Sequence, residues 1–68
     1  MKNNYSKILG LKDNSELSII DMNGKLIKVF NPIENPMALD ISQWQPQIYF
    51  WRAIDNNGLT QSGKFVKQ

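Results

Sequence analysis

With 68 residues the chain has room for one domain, and its eight basic and six acidic side chains leave a formal charge of +2, too small and too dispersed to concentrate the positive field that duplex nucleic acid binding needs. No cysteine and no histidine are present, which removes disulfides, thiolate or imidazole metal ligation, and catalysis by either side chain. The apolar runs are only a few residues long, far short of the roughly 20 that span a bilayer, so no membrane insertion is expected.

Met1-Lys2 leads into Asn3-Asn4-Tyr5-Ser6-Lys7 rather than an apolar stretch, so no secretory signal is expected in this chain. Residues 1–15 read as an uncertain N-terminal strand or loosely attached arm. Ser6 to Leu11 offers strand-forming residues there, and Gly10 weakens either reading. Residues 16–68 read as the module proper. Glu16–Asp21 and Lys25–Phe30 flank Asp21-Met22-Asn23-Gly24, and the pattern predicts a hairpin in which Asn23-Gly24 takes the two positive-φ positions of a type I′ turn. Leu17 and Ile19 alternate with Ser18, while Leu26, Ile27 and Val29 suit a half-buried strand.

Asn31-Pro32 and Asn35-Pro36 bracket a loop, because proline brings no N–H to a ladder. A short alternating strand is expected over Met37–Ser42. Gln43-Trp44-Gln45-Pro46-Gln47 reads as a turn from which Trp44 folds back to cap the core. Ile48–Ile54, with the highest β propensity and apolar residues on both faces, belongs in a sheet centre. Asp55-Asn56-Asn57-Gly58 marks another hairpin turn, and the last strand runs from Leu59 to Val66 with a bend at Gly63. The sum is an all-β chain, a small sandwich or barrel of short antiparallel strands with no sustained helical period. Burying roughly 12–15 large apolar side chains at about 1.5–3 kcal/mol each, against an ordering cost of about 1.5 kcal/mol per residue, predicts modest stability. Support is then expected from a partner, a parent chain or self-association.

No base stands beside a nucleophile. Asp13, Glu16, Asp21 and Asp55 sit at turns, where carboxylates ordinarily bond local backbone, and no catalytic, cofactor or metal site is expected. Asn4-Tyr5-Ser6 matches a glycosylation sequon of low specificity. Trp44, Tyr49, Phe50 and Trp51 beside Arg52 raise a reading as a base-stacking platform for single-stranded nucleic acid. Core packing is the better reading, since residues 49, 50 and 51 alternate between faces, and nucleic acid is not the expected partner. Lys64 and Lys67 taken alone read as solubilising charges on an edge strand.

In order along the chain stand Leu17–Ile27 with its Asp21-Met22-Asn23-Gly24-Lys25 hairpin, Leu39-Asp40-Ile41-Ser42, Pro46-Gln47-Ile48-Tyr49 and Gly63-Lys64-Phe65-Val66-Lys67. This ordered set resembles the type IX secretion (Por secretion) system C-terminal sorting domain of Bacteroidetes, type A. The family's glycine before the aliphatic–Tyr pair is Gln47 here, which requires that position to avoid positive φ. Residues 1–15 also lack the Tyr-Pro-Asn-Pro-like motif that usually opens the family.

The resemblance implies an immunoglobulin-like sandwich of about five to seven antiparallel strands, with room for the first strand to be missing. It implies a sorting signal rather than an enzyme, carrying an upstream cargo domain from the periplasm to the cell surface or medium as part of a larger precursor. The implied partners are the outer-membrane secretion machinery and a C-terminal signal peptidase, and no cofactor is implied. By position, recognition falls to Pro46, Ile48 and Tyr49 and to Lys64, Phe65, Val66 and Lys67. The competing reading is a small interaction module that pairs with a partner or itself through an exposed strand edge.

Overall fold

A computed structural model describes residues 5–31 and 37–68. Six strands follow in chain order: β1 Tyr5–Ile8, β2 Glu16–Ile20, β3 Leu26–Phe30, β4 Met37–Asp40, β5 Ile48–Ile54 and β6 Thr60–Val66. All pairings are antiparallel. β3-β2-β5-β6 form a four-stranded sheet and β1-β4 a two-stranded one, so the chain is a small all-β sandwich, as expected. The Asn31-Pro32 and Asn35-Pro36 breaks, with the loop between them, involve residues 32–36 and lie outside the described residues. So do residues 1–4, which include the sequon's Asn4.

Alternation along the strands decides what is buried. Leu17 and Ile19 from β2, Tyr49 and Ala53 from β5, and Ile8, Leu11, Leu39 and Ile41 from the smaller sheet and its flanks make the core. Phe30, Trp44, Trp51 and Phe65 pack against it partly buried, so Trp44 caps the core as its turn predicts. Ile8 and Leu11 bring the N-terminal segment into this packing. β5 lies between β2 and β6, the central place its composition predicts.

Three local details differ from the sequence reading. Asn23 does not take positive φ; of the hairpin pair only Gly24 does, at 83°. Gly24 N–H donates to the Asp21 carbonyl and Asp21 N–H to the Lys25 carbonyl, a three-residue loop closed by a glycine bulge rather than a type I′ turn. The Asp21 side chain makes that geometry favourable, its Oδ1 accepting the N–H groups of Asn23 and Lys25 at 2.8 and 2.9 Å. Asp55 and Gly58 repeat the arrangement between β5 and β6. Secondly, the β5–β6 register runs unbroken through Gly63, which makes no bend; it lies opposite Trp51 and leaves space for the indole. Thirdly, Leu26, Ile27 and Val29 on β3 are exposed rather than half-buried.

Candidate recognition surface

The resemblance singles out seven residues, and strand alternation divides them between two faces. Tyr49, Phe65 and Lys67 point inward. Tyr49 is 2 % exposed, and its ring stacks on Phe65 at 5.5 Å and meets Trp44 at 5.0 Å. The Tyr49 hydroxyl donates to the Gln45 carbonyl at 2.6 Å, which pins the turn leading into β5. That turn works without glycine because Gln47 does not take positive φ.

Lys67 is the least expected member of the inward set. Only 8 % exposed, it turns its ammonium under the 41–44 segment and donates to the carbonyls of Ile41, Ser42 and Trp44 at 2.8, 3.1 and 3.1 Å. An ammonium has three donors, so this cage satisfies it completely. The Lys67 N–H also donates to the Gln47 carbonyl, tying the chain after β6 to the start of β5. The side chain is a clasp, where residue type and position along an edge strand suggested a solubilising charge.

Ile48, Lys64 and Val66 point outward, and Pro46 is exposed just before β5. Across the outer face of the large sheet, Leu26, Ile20, Phe50 and Lys64 form one row in register, and Ile48 pairs with Val66 beside it. Phe50, Ile48 and Val66 are 43, 38 and 59 % exposed, so an apolar band runs over this end of the sheet and finishes at the Lys64 ammonium. Farther along, the row of Val29, Ser18, Arg52 and Ser62 is more polar. Sequence reasoning did not find Leu26, Ile20 or Phe50 as surface residues. Their hydrophobicity reads as core, and only the register shows that they share the outward side with Ile48, Lys64 and Val66. The aromatic group is split likewise: Trp44, Tyr49 and Trp51 pack inward while Phe50 faces out.

The Leu39-Asp40-Ile41-Ser42 motif has a structural account. Leu39 and Ile41 are buried, and Asp40 Oδ1 accepts the Ser42 N–H at 3.0 Å, turning the chain into the loop that Lys67 clasps. Hydrogen bonds from the Ser42 hydroxyl and then the Ser42 N–H hold the Asp40 carboxyl below its ordinary value. Among the described residues no group of acidic side chains is placed to hold a metal ion. Among the described residues there is no helix long and apolar enough to cross a membrane.

No curated protein and no solved structure matches the chain. A family defined as a secretion system C-terminal sorting domain matches residues 3–68, from before β1 to the end of the chain. With the hairpin, the Asp-Ser turn, the Tyr49 strand and the Lys67 clasp each in place within that match, the chain belongs to the type IX secretion system C-terminal sorting domain family.

Proposed function

We propose that this domain is the sorting signal by which an attached cargo passes the outer membrane through the type IX machinery, and that the machinery reads the outward face of β5 and β6. The observation that carries this reading is the division of the motif. Tyr49, Phe65 and Lys67 are spent on holding the domain's shape, whereas Ile48, Lys64 and Val66 are displayed beside the apolar band of Ile20, Leu26 and Phe50. An exposed apolar band with a cation at its margin suits a binding interface, and the domain acts here by being bound rather than by catalysis. Pro46 stiffens the approach to β5 at the rim of that face. A C-terminal signal peptidase then separates domain from cargo, and the cargo ends at the surface or in the medium.

The test fuses the full 68 residues behind a periplasm-directed reporter in a type IX-competent bacterium. The reporter should reach the cell surface or medium, and should stay in the periplasm of a host lacking the translocon. Phe50→Asp combined with Lys64→Glu should abolish export while the purified domain keeps its wild-type melting behaviour. Normal export of that double variant would remove the outward face from recognition; retention of the wild-type fusion in the periplasm would end the sorting reading itself.

A further inference from the structure

β6 closes one side of the four-stranded sheet, with β5 beside it and no strand beyond among the described residues. Its bonding phase is set at both ends of the ladder: Asp55 N–H donates to the Leu59 carbonyl, and Lys67 N–H to the Gln47 carbonyl. Antiparallel pairs alternate between bonded and unbonded, so between those ends Gln61, Gly63 and Phe65 bond β5. Thr60, Ser62, Lys64 and Val66 therefore aim their N–H and C=O groups away from the sheet.

The other strand edges are blunted. β3, at the far side of the same sheet, is bulged at Ile27, the residue left over where Ile19 pairs with Lys28 and Ile20 with Leu26. Lys28 stands opposite the buried Ile19, on the inward side, with its ammonium 5.3 Å from the Phe30 ring. A bulge and an inward-pointing charge both oppose the addition of a strand. β1 and β4 are only four residues long. β6 runs for seven residues in unbroken register and contains no proline.

What an open edge accepts depends on the order of its side chains, and the order in β6 is self-complementary. Gly63 is the middle residue of the strand. A second β6 laid antiparallel with Gly63 on the two-fold axis overlaps the whole strand. It sets Ser62 against Lys64, and Thr60 against Val66, of the other copy. These are the residues whose backbone groups point outward, so each outward N–H meets an outward carbonyl. Gly63 faces Gly63 at an unbonded position, where strands approach most closely and side chains would crowd. On the outer side Ile48 and Val66 of one copy run on, in register, to Thr60 and Ile54 of the other. Lys64 selects this register. An axis on Lys64 would set two ammonium groups face to face, and an axis on Ser62 would leave the end of the strand unpaired.

We propose that two copies of this chain pair edge to edge through β6, antiparallel about Gly63, and join their sheets into one continuous sheet. This goes beyond the sorting reading and does not rest on it. The interface is one strand deep, well below the roughly 1,200 Å² of stable complexes, so the association is weak.

Sedimentation equilibrium of the full chain from about 10 μM to about 1 mM, a range suited to so small an interface, should show a reversible monomer–dimer equilibrium. Over the same range, hydrogen exchange should show the amides of Thr60, Ser62, Lys64 and Val66 gaining protection with concentration. Those of Gln61, Gly63 and Phe65, already bonded to β5, should be protected throughout. Ser62→Pro removes an outward N–H and spares the β5 ladder, so that chain should stay folded and monomeric. Ser62→Glu sets a carboxylate against Lys64 of the other copy and should tighten the dimer about two- to tenfold, a gain that disappears when Lys64→Ser is added. A chain still monomeric at the top of the concentration range would overturn the proposal. So would a dimer whose outward amides stay unprotected, a Ser62→Pro dimer of unchanged affinity, or a Ser62→Glu gain that is absent or survives Lys64→Ser. Export is read separately, so a domain that sorts its cargo as a strict monomer keeps the sorting function and loses this interface.

Discussion

Lys67 shows how far a side chain's role departs from its residue type. Removing its ammonium leaves the Ile41 carbonyl with the Trp44 N–H alone and takes the lysine donor from the Ser42 and Trp44 carbonyls. A hydrogen bond to a charged group contributes about 1.5–3 kcal/mol, and water can reach the two partly buried carbonyls, so Lys67→Met should destabilise the fold by about 2–3 kcal/mol in urea denaturation. Lys64→Met, three residues earlier and exposed, should stay within about 0.5 kcal/mol of wild type. Lys67→Arg should not restore the loss, because a planar guanidinium cannot converge on three carbonyls as an ammonium does. Asp40 gives the residue-scale pH dependence. Its folded carboxyl titrates below the ordinary value of 3.8, so the stabilisation it brings is present above that value and lost as pH falls through the lower folded one. Thermal midpoints of Asp40→Asn should lie below wild type near neutral pH, and the two curves should converge well below pH 3.8.

For the elements, register matters more than propensity. The β2–β3 hairpin was legible because Asp-x-Asn-Gly between apolar runs has few other uses, yet its turn type was not. Asn-Gly serves both a type I′ turn and a glycine bulge, and the choice lies in the bonds from Asp21 to Asn23 and Lys25. Gly63 was legible as an irregularity in a strand and misread as a bend. An added Cβ there would stand 2.7 Å from the Trp51 indole, so Gly63→Ala should displace the ring, destabilise by about 1–3 kcal/mol and red-shift tryptophan emission. An unchanged spectrum and stability would show that the pairing across β5 and β6 tolerates a methyl group. The β3 strand was found with its face misjudged, since Leu26 and Val29 look like core residues until their partners Ile20 and Ser18 place them on the outer side.

At the scale of the whole molecule, the described residues supply eight buried apolar side chains with four more packed against them, a small core. A domain of this size rarely exceeds about 3–5 kcal/mol, so urea unfolding of wild type should give no more than about 5 kcal/mol, and the loss predicted for Lys67→Met would be about half of that ceiling. That comparison explains why one lysine can govern the survival of the fold while its exposed neighbour does not. The strand pattern, the two hairpins and the family resemblance were all readable from residue order, because period-two alternation and turn chemistry act between near neighbours. The inward clasp of Lys67, the outward display of Phe50 with Ile20 and Leu26, and the open edge of β6 were decided only in the folded chain. Each depends on which strand lies beside which and in what register, and those pairings join residues tens of positions apart that no local pattern relates.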